Sequence, residues 1–366
     1  MKYPVPSNLS NEALNRLGDI LRNGKNDDEP YLEALQNVNI WRKSHWYPMN
    51  TFQSTLRRKV KELFGAASVD DRPIVAQRLK RMPAIIDKLR RKQTNDMSLS
   101  RMQDVGGLRA ILDNCDDVYK LRDYYTCGNF SSYNLREKNY IRTPKEDGYR
   151  GIHLIFKYNN IHSRNNGEAS KYRGLFIEIQ IRTRLQHIWA TAVETVGTMN
   201  GEKLKSDLGS AEWLDFFCTM SKIFAVVEHQ QTPTADMDYD LKNLVNNIKK
   251  IKRLNKKLNI LDNLRGWKKA TENISGSGGF YNLIILNLES HTVEVRKYEE
   301  KEIEIANEDY AKAEASDANT NQVLVSSVKI KNLRSAYPNY FLDIDRFIEF
   351  VDDLVNKIDE RRATLL

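Results

Sequence analysis

A change of hydrophobic period near Val105 constrains this chain more than any other feature. Up to about residue 100 the apolar residues recur at helical spacing, as in Leu14, Leu17, Leu21 and then Leu56. After that point, segments alternate and are rich in β-branched and aromatic residues, which is typical of strands. They are LRAILD, NYIRT, GIHLIFKY and RGLFIEIQIRT, with a helical stretch at 116–127 between the first two. Helical patterns follow at 184–196 and 211–230, so the sequence predicts an α+β fold, a mixed β-sheet flanked by helices.

The pattern changes twice more towards the C-terminus. Residues 241–269 carry a leucine and isoleucine stripe with lysine and arginine on the other faces, which predicts one long basic amphipathic helix. Its basic face is equally consistent with a solvated surface and with a nucleic-acid contact. The segment SGSGG at 275–279 predicts a hinge before a smaller β/α unit, with a hairpin (YNLIILNL, VEVRKY), a strand (QVLVSSVKI) and a helix over 341–358. We therefore divide the chain at 1–235, 236–270 and 271–366.

Composition narrows the functional classes. The net charge of +8 favours a polyanionic partner or substrate. Three scattered cysteines (Cys115, Cys127 and Cys218) do not fit a disulfide scaffold or a zinc site, and they suit a reducing cytoplasm. Because the sequence has neither a signal-peptide pattern nor an apolar run of about 18 residues, we expect a cytoplasmic protein with no membrane partner.

Several common phosphate and metal motifs are missing. The sequence has no GxxxxGK[ST], GxGxxG or HExxH segment, and no His-Asp pair of the metal-dependent phosphohydrolase kind. It does contain QRLKRMPAIIDK, which places Arg78, Lys80 and Lys88 near one helix entry, where they could bind a triphosphate. Taken alone, such a segment is more often a solvated charge run.

Three further segments carry polar residues at strand ends. Asp104 precedes two glycines and a strand in MQDVGGLRAIL, where a carboxylate suits Mg²⁺, although a lone Asp there is usually a turn or cap residue. In FIEIQIRT, Glu178 and Gln180 share one strand face. The loop TPKEDGYRGIHL combines cations with Tyr149, a pairing that suits a nucleotide.

Taken in order, these segments resemble the synthetase domain of the RelA/SpoT alarmone family. The matching pattern is Arg-x-Lys with a Lys eight residues later, Asp-x-x-Gly-x-Arg, Lys-x-x-Gly-Tyr-x-x-x-His and Glu-x-Gln-Ile-Arg-Thr, within about residues 40–200. The resemblance implies a nucleotidyltransferase-like sheet that transfers pyrophosphate from ATP to a ribose 3′-hydroxyl with Mg²⁺.

The resemblance also implies roles for single residues. The expected ATP ligands are Arg78, Lys80, Lys88 and Arg109. Asp104 and Glu178 would hold the metal and act in catalysis with Tyr149, Glu178 as the base and Tyr149 as the stacking ring. The expected acceptor ligands are Lys138, Lys145, Tyr149, Arg150, His153, Gln180, Arg182 and His187, with His153 orienting the loop rather than reacting.

Two positions depart from the family pattern. Ala84 stands where a serine is common, and Arg150-Gly151 replaces a frequent glutamine-serine pair. These departures bear on the identity of the acceptor. The segment WRKSHWYPMNTFQSTLRRKV at 41–60 resembles the small, toxic branch of the family.

The C-terminal segment resembles the antitoxin-like domain of the fused toxic synthetases called CapRel. That resemblance implies a metal-free pseudo-zinc-finger sheet and a Tyr-x-x-Tyr turn, here Tyr337 to Tyr340, that folds back on the ATP site. It also implies pyrophosphorylation of the terminal adenosine of tRNA, a block of translation, and release by a phage protein, the major capsid protein in that family.

Three hypotheses follow. The first is an autoinhibited tRNA pyrophosphokinase in phage defence, which the basic segment favours because tRNA needs a wide cationic surface. The second is a (p)ppGpp-type alarmone synthetase with GDP or GTP as acceptor. The third is a binding module without activity, against which Asp104 and Glu178 argue.

Overall fold

The computed structural model describes residues 5, 10–25, 28–65, 73–91, 97–127, 136–159, 167–199, 211–231, 239–269, 280–287, 292–316, 320–326 and 344–357. Three N-terminal helices come first, α1 (Asn11–Asn23), α2 (Glu29–Ser44) and α3 (Trp46–Phe64). Ser10 caps α1 by accepting a hydrogen bond from the backbone N–H of Ala13. Gly65, at φ 69°, ends α3.

A five-stranded mixed sheet follows, as the alternating segments predict. Its strands lie in the order β1-β2-β5-β4-β3, with β2 and β5 parallel and the other neighbours antiparallel. They are β1 (Ile74–Leu79), β2 (Gly106–Leu112), β3 (Arg136–Asn139), β4 (Ile152–Lys157) and β5 (Phe176–Thr183). The helices α4 (Met82–Arg90) and α5 (Cys115–Thr126) connect strands of this sheet.

Two sequence predictions about this sheet were wrong in detail. The segment QRLKRM contains the edge strand β1, not only a helix entry, because Gln77 and Leu79 are buried on one face while Arg78, on the other face, stays partly exposed. The segment NYIRT is mostly a turn, since the side chain of Asn139 accepts hydrogen bonds from the backbone N–H groups of Ile141 and Arg142.

Four helices follow the sheet, α6 (Arg184–Met199), α7 (Ala211–Gln231), α8 (Leu244–Leu258) and α9 (Ile260–Lys269). The predicted single basic helix is therefore two helices. Asn259 separates them in a left-handed conformation (φ 54°), which ends α8.

The C-terminal part forms a three-stranded antiparallel sheet in the order β7-β6-β8. Its elements are β6 (Tyr281–Asn287), β7 (Thr292–Tyr298), α10 (Ile303–Ser316), β8 (Thr320–Ser326) and α11 (Asp345–Asp352). The predicted hairpin and third strand are confirmed, whereas α10 was not anticipated. The predicted hinge at 275–279, Tyr337 and Tyr340 lie outside the described residues.

The C-terminal elements share both apolar cores with the rest of the chain. Tyr281 and Tyr310 belong to the core that contains Trp46 and the first sheet. Phe347 of α11 belongs to the second core and contacts Phe217 of α7, with ring centroids 5.8 Å apart. The edge strands β8 and β1 of the two sheets lie close together. None of the helices within the described ranges is long and apolar enough to cross a membrane.

Candidate active site

The register of the first sheet lines up residues from four separate motifs. Arg78 on β1 lies opposite Gly107 on β2, and Gly107 lies opposite Glu178 on β5. The neighbouring row consists of Arg109, Gln180, His153 and Lys138. Because residues directly opposite each other point to the same face of a sheet, these side chains share one surface.

Gly107 leaves the sheet surface between Arg78 and Glu178 without a side chain. A Cβ atom at this position would have only one heavy atom within 4 Å, the carbonyl oxygen of Arg78 at 3.6 Å. A side chain would therefore project into the space between the arginine and the carboxylate. Its absence allows a ligand to approach the backbone there.

At the β1 end of this surface, Asp104 accepts hydrogen bonds from two lysines. Lys80 Nζ lies 2.9 Å from Oδ2, and Lys88 Nζ lies 2.9 Å from Oδ1. Burial opposes ionisation of Asp104, but the two ammonium groups outweigh it and hold the pKa well below its usual range. Burial lowers the pKa of Lys80, which Asp104 partly counteracts. All three predicted residues are therefore brought together in one charged cluster.

The two predicted metal ligands fit Mg²⁺. Burial and, to a smaller extent, the charge of Asp104 act to raise the pKa of Glu178. In the described part of the chain no group of three or more His, Cys, Asp or Glu side chains is placed to hold a metal. Mg²⁺ commonly takes one or two carboxylates and completes its shell with substrate phosphates and water, so two carboxylates are compatible with it. Their oxygens would have to exchange the present hydrogen bonds for the metal.

Five acceptor-side residues close a ring of hydrogen bonds. Arg182 Nε donates to the Tyr149 hydroxyl at 3.1 Å, and that hydroxyl is bonded to His153 Nε2. His153 Nδ1 is bonded to Glu178 Oε1 at 2.8 Å. Gln180 donates to the other Glu178 oxygen at 2.8 Å and accepts from Arg182 NH2 at 2.8 Å. The carboxylate is thus fixed in orientation by both of its oxygens.

The pKa directions define the protons in this ring. Burial lowers the pKa of His153, which keeps the imidazole neutral although Glu178 opposes the shift. Burial raises the pKa of Tyr149, which keeps its hydroxyl protonated. A neutral His153 then donates from Nδ1 to Glu178 and accepts at Nε2 from Tyr149. Burial acts to raise the pKa of Glu178, but the contact with His153 lowers it, so the carboxylate is ionised.

The Tyr149 ring is buried, with 6% of its surface exposed. Lys145 Nζ and Arg182 Cζ each lie 4.9 Å from its centroid, and Tyr140 contacts it edge-on at 5.6 Å. An acceptor base that stacks on this ring would therefore have to displace a cation, and Lys145 is the exposed one of the two.

Glycine positions the loop that carries Tyr149. Gly148 has a positive φ of 91°, and a Cβ there would lie 3.0 Å from Cys218 Cα and from Ser221 Cβ on α7. Ser221 donates a hydrogen bond to the Gly148 carbonyl. The loop can lie against α7 only because residue 148 has no side chain.

Arg150 requires a correction. We expected it among the acceptor ligands, but its side chain is buried at 6% exposure and donates to Ser221 Oγ at 3.2 Å and to the Ile141 carbonyl at 3.4 Å. Its aliphatic stem and guanidinium occupy the space between the loop and α7. Arg150 therefore anchors the loop through its contacts with Ser221 of α7 and with the Ile141 carbonyl.

The remaining predicted ligands lie around this surface. Lys138 is exposed on β3 and pairs with His153 across the strands, and His187 is buried in the first turn of α6. Arg109, expected near ATP, lies on β2 opposite Ala76 of β1 and Gln180 of β5.

Two residues of this region were missed by the sequence analysis. Tyr140 contacts Tyr149, His153 and Lys145, and the predicted strand NYIRT placed an aromatic there without indicating a role. Arg42 donates to the Lys80 carbonyl at 3.2 Å, although it lies 38 residues earlier. No local pattern around Arg42 indicates that contact.

Comparison with known families agrees with this geometry. Residues 77–196 match the family described as "Region found in RelA / SpoT proteins". This part of the chain is therefore similar to RelA/SpoT proteins. The match contains the lysine cluster, the ring and the anchored loop, and it leaves out α1 to α3 and everything after α6.

Two relatives of this region are GTP pyrophosphokinases. The chain is 34% identical over 125 residues to GTP pyrophosphokinase YjbM of Bacillus subtilis, covering 33% of this chain and 56% of that protein. It is 32% identical over 118 residues to GTP pyrophosphokinase YwaC of the same organism, covering 31% and 52%. The chain therefore spans about half the length of these relatives. The crystal structure of small alarmone synthetase 1 from Bacillus subtilis bound to pppGpp matches with a TM-score of 0.41 and 22% identity, over 51% of this chain and 90% of that one.

Proposed function

We propose that this protein is an ATP-dependent pyrophosphokinase. The observation that carries the proposal is the alignment of Arg78, Gly107 and Glu178 across three strands, next to the cluster of Asp104 with Lys80 and Lys88. It places cations, a sheet surface without a side chain and an ionised carboxylate side by side within the region that matches RelA/SpoT proteins.

In the ATP half, Lys80 and Lys88 bind the phosphates and Arg78 binds the nucleotide at the sheet edge. Binding exchanges the bonds from the lysines to Asp104 for bonds to phosphate oxygens. Asp104 and Glu178 are the residues that would hold Mg²⁺, and the ion would offset negative charge on the transferred group.

In the acceptor half, Glu178 accepts the proton of the attacking 3′-hydroxyl. The new bond joins the 3′-oxygen to the β-phosphorus of ATP, and the bond from that phosphorus to the α–β bridging oxygen breaks. AMP leaves with the electron pair of that bond. The hydrogen bonds among Tyr149, His153, Gln180 and Arg182 keep the carboxylate oriented. This orientation lowers the barrier to transfer, because the carboxylate is already in place before the reaction begins.

The acceptor we favour is the 3′ end of tRNA. On α8, Arg253 and Lys256 are exposed, and they extend the cationic surface beyond what a free nucleotide needs. The surface is less basic than its sequence indicates, because Lys250 and Lys257 pair with Asp215 and Glu212 of α7.

A second candidate acceptor is GDP or GTP. The names of the relatives, both GTP pyrophosphokinases, favour it. It needs only the row of Lys138, His153 and Gln180 and a stacking ring, and none of α8.

In the function that we propose, the C-terminal elements inhibit the enzyme, so that the chain is a toxin-antitoxin fusion for phage defence. The close approach of β8 to β1, the strand of Arg78, supports this view. A pseudo-zinc-finger identity for the small sheet, a cytoplasmic location and a phage capsid protein as the release signal remain parts of the proposal. The inhibitory role of Tyr337 and Tyr340 is a prediction about residues outside the described ranges.

The test uses full-length protein, because removing the C-terminal elements would strip Tyr281 and Tyr310 from the first core. Protein carrying Tyr337→Ala and Tyr340→Ala is incubated with ATP labelled in the β and γ phosphates and with either bulk tRNA or GTP. We expect label at the 3′ end of tRNA. Label in guanosine nucleotide alone would assign the second candidate, and label in neither, with intact ATP, would contradict the combined proposal of a pyrophosphokinase restrained by these two tyrosines.

A further inference from the structure

Arg42 is a fully buried arginine that joins three parts of the molecule. Its side chain has 0% exposure, and its Nε and NH2 donate to Asn39 Oδ1 at 3.1 and 2.8 Å within α2. Its NH1 donates to the Lys80 carbonyl at 3.2 Å and to the Tyr310 hydroxyl of α10 at 3.3 Å. The guanidinium carbon lies 5.1 Å from the centroid of the Tyr310 ring.

The chemistry of arginine makes this arrangement directional. The guanidinium is planar and presents its N–H groups in a rigid fork, so bonds on one edge fix the direction of bonds on the other. Asn39 holds one edge, and the opposite nitrogen is shared between Lys80 and Tyr310. If one acceptor is removed, a buried N–H group loses a hydrogen bond that offsets its cost of desolvation. We expect the guanidinium to move in response, because its N–H groups are held in one rigid plane.

Lys80 connects this fork to the reactive centre. Its backbone N–H donates to the Val105 carbonyl at 2.8 Å, and its ammonium contacts Asp104 at 2.9 Å. The bond from Arg42 therefore fixes the main chain of a residue whose side chain reaches the metal-binding carboxylate. A small displacement at such a residue is costly because transfer depends on near-exact placement of the phosphates.

We propose that Arg42 is a positioning residue for the ATP-binding half, and that Tyr310 makes its hold on Lys80 depend on the docked C-terminal elements. Both residues lie outside the matched 77–196 region, so the contact is an addition to the part of the chain that is similar to RelA/SpoT proteins. The inference rests on the proposed function only in naming ATP as the ligand. The mechanical link from α10 through Arg42 to Lys80 stands on the contacts themselves.

The test compares two tyrosine hydroxyls of the C-terminal part. Tyr310→Phe removes the acceptor for Arg42 and keeps the ring. Tyr298→Phe is the matched control, because the Tyr298 hydroxyl donates to Asp309 at 2.9 Å within the C-terminal part and Tyr298, like Tyr310, is a buried residue. All proteins in this test, the parent included, carry Tyr337→Ala and Tyr340→Ala, so that the proposed restraint on the ATP site is released. For each full-length protein we would measure hydrogen exchange over residues 74–90 without nucleotide, and the Kd of α,β-methylene ATP with Mg²⁺.

We expect Tyr310→Phe to raise exchange over 74–90 and to weaken the analogue by about five- to tenfold. Tyr298→Phe should match the parent in both readouts. Arg42→Lys keeps the positive charge but removes the planar set of N–H donors. It should raise exchange over 74–90 and weaken analogue binding more than Tyr310→Phe does. If Arg42→Lys fails to fold, the tyrosine pair alone decides.

Equal exchange and equal Kd in the two tyrosine variants would overturn the proposal, even if both lower the unfolding temperature. If the parent binds no analogue while Tyr310→Phe alone raises exchange over 74–90, the proposed function fails and the link through Arg42 stands. These two failures are therefore distinguishable.

Discussion

Lys80 Nζ lies 2.9 Å from Oδ2 of Asp104, so a residue expected to bind phosphate is bonded to a residue expected to bind metal. The same carboxylate also accepts from Lys88. Nucleotide and Mg²⁺ binding should therefore be linked, because a phosphate that takes the lysines also frees the oxygens of Asp104.

Asp104→Asn should lower pyrophosphate transfer by about 10²- to 10³-fold, since an amide cannot replace the charged ligand. The measurement is label transfer from ATP by protein whose folding has been verified by its unfolding temperature. Asp113→Asn is the matched control, because it removes an Asp–Arg pair with Arg184 outside the site and should retain parental activity. Undiminished transfer by Asp104→Asn would show that the metal site has been misassigned.

The hydrogen-bond ring predicts graded effects at its members. Glu178→Gln should lower the rate of pyrophosphate transfer by about 10²- to 10⁴-fold, because the amide cannot accept the proton of the attacking hydroxyl. Tyr149→Ala should also abolish transfer, as it removes both the ring surface and the hydroxyl. Tyr149→Phe should fall between Tyr149→Ala and the parent, since it keeps the ring surface but frees His153 Nε2 from its donor.

Tyr119→Phe provides the control for this series, because the Tyr119 hydroxyl accepts from Asn139 away from Glu178. Single-turnover rates measure the series. If Tyr149→Phe were as active as the parent, the hydrogen bonds of the Tyr149 hydroxyl would not affect catalysis. Tyr149 would then act through its aromatic surface alone.

The central strands and the site motifs could be predicted from sequence, but the contacts among them could not. Alternation in GIHLIFKY and FIEIQIRT identifies β4 and β5 because each buries apolar residues on its faces. The edge strand β1 was missed because a partly exposed strand with Gln77 and Arg78 lacks that signal. The ring of Tyr149, His153 and Glu178 depends on the strand register, which no single segment encodes.

Longer-range contacts are harder still to anticipate. The bonds of Arg42 to Lys80 and Tyr310 span 38 and 268 residues, and they arise only when α2, β1 and α10 meet. The family resemblance implied Arg150 as an acceptor ligand, yet its side chain donates to Ser221 of α7 and to the Ile141 carbonyl. These contacts depend on how the loop packs against α7, which the local sequence does not encode.

The basic surface of α8 predicts salt-dependent tRNA binding. Sequence reasoning selects Lys249, Lys250, Lys252 and Arg253 for reversal, but Lys250 pairs with Asp215, so its reversal would also disturb the contact between α7 and α8. Arg253→Glu with Lys256→Glu is the cleaner change, because both residues are exposed. It should weaken tRNA modification and lower the logarithmic salt slope by about one per lost phosphate contact.

Lys25→Glu with Lys61→Glu makes the same change in net charge on exposed lysines elsewhere in the chain. That control should leave both the modification of tRNA and its salt slope at parental values, and neither pair should change ATP binding. Equal effects of the two double reversals would reduce the role of α8 to its contribution to net charge.

Tyr337 and Tyr340 are predicted to restrain the enzyme. If the closed form is favoured by ~3 kcal/mol, about 1% of molecules or fewer are open, so losing the contact raises activity strongly. Full-length protein with Tyr337→Ala and Tyr340→Ala should therefore arrest growth without any phage component. Adding Glu178→Gln should abolish the arrest, and harmless yet stable expression of the double alanine variant would place the restraint elsewhere.

His45 predicts a pH dependence of stability. The side chain is fully buried between α2 and α3, and its Nδ1 lies 3.0 Å from the Trp41 carbonyl. Burial lowers its pKa from 6.5 to about 4, although bonds to the backbone carbonyls of Trp41 and Arg42 oppose the shift. His45 therefore becomes protonated near pH 6.5 in the unfolded chain but only near pH 4 in the folded chain. The free energy of unfolding falls as the pH drops from about 6.5 to about 4, because protonation favours the unfolded chain in that range.

The contribution is roughly 3 kcal/mol across the whole window, at about 1.4 kcal/mol per pH unit. His45→Gln keeps a side-chain donor but does not titrate, so its free energy of unfolding should fall less steeply between pH 6.5 and pH 4.5 than that of the parent. Urea unfolding at several pH values in this range measures both slopes. All other titrating groups are common to the two proteins, so the difference between the curves reports His45 alone, and parallel curves would mean that the imidazole is protonated in the folded protein as readily as in the unfolded chain.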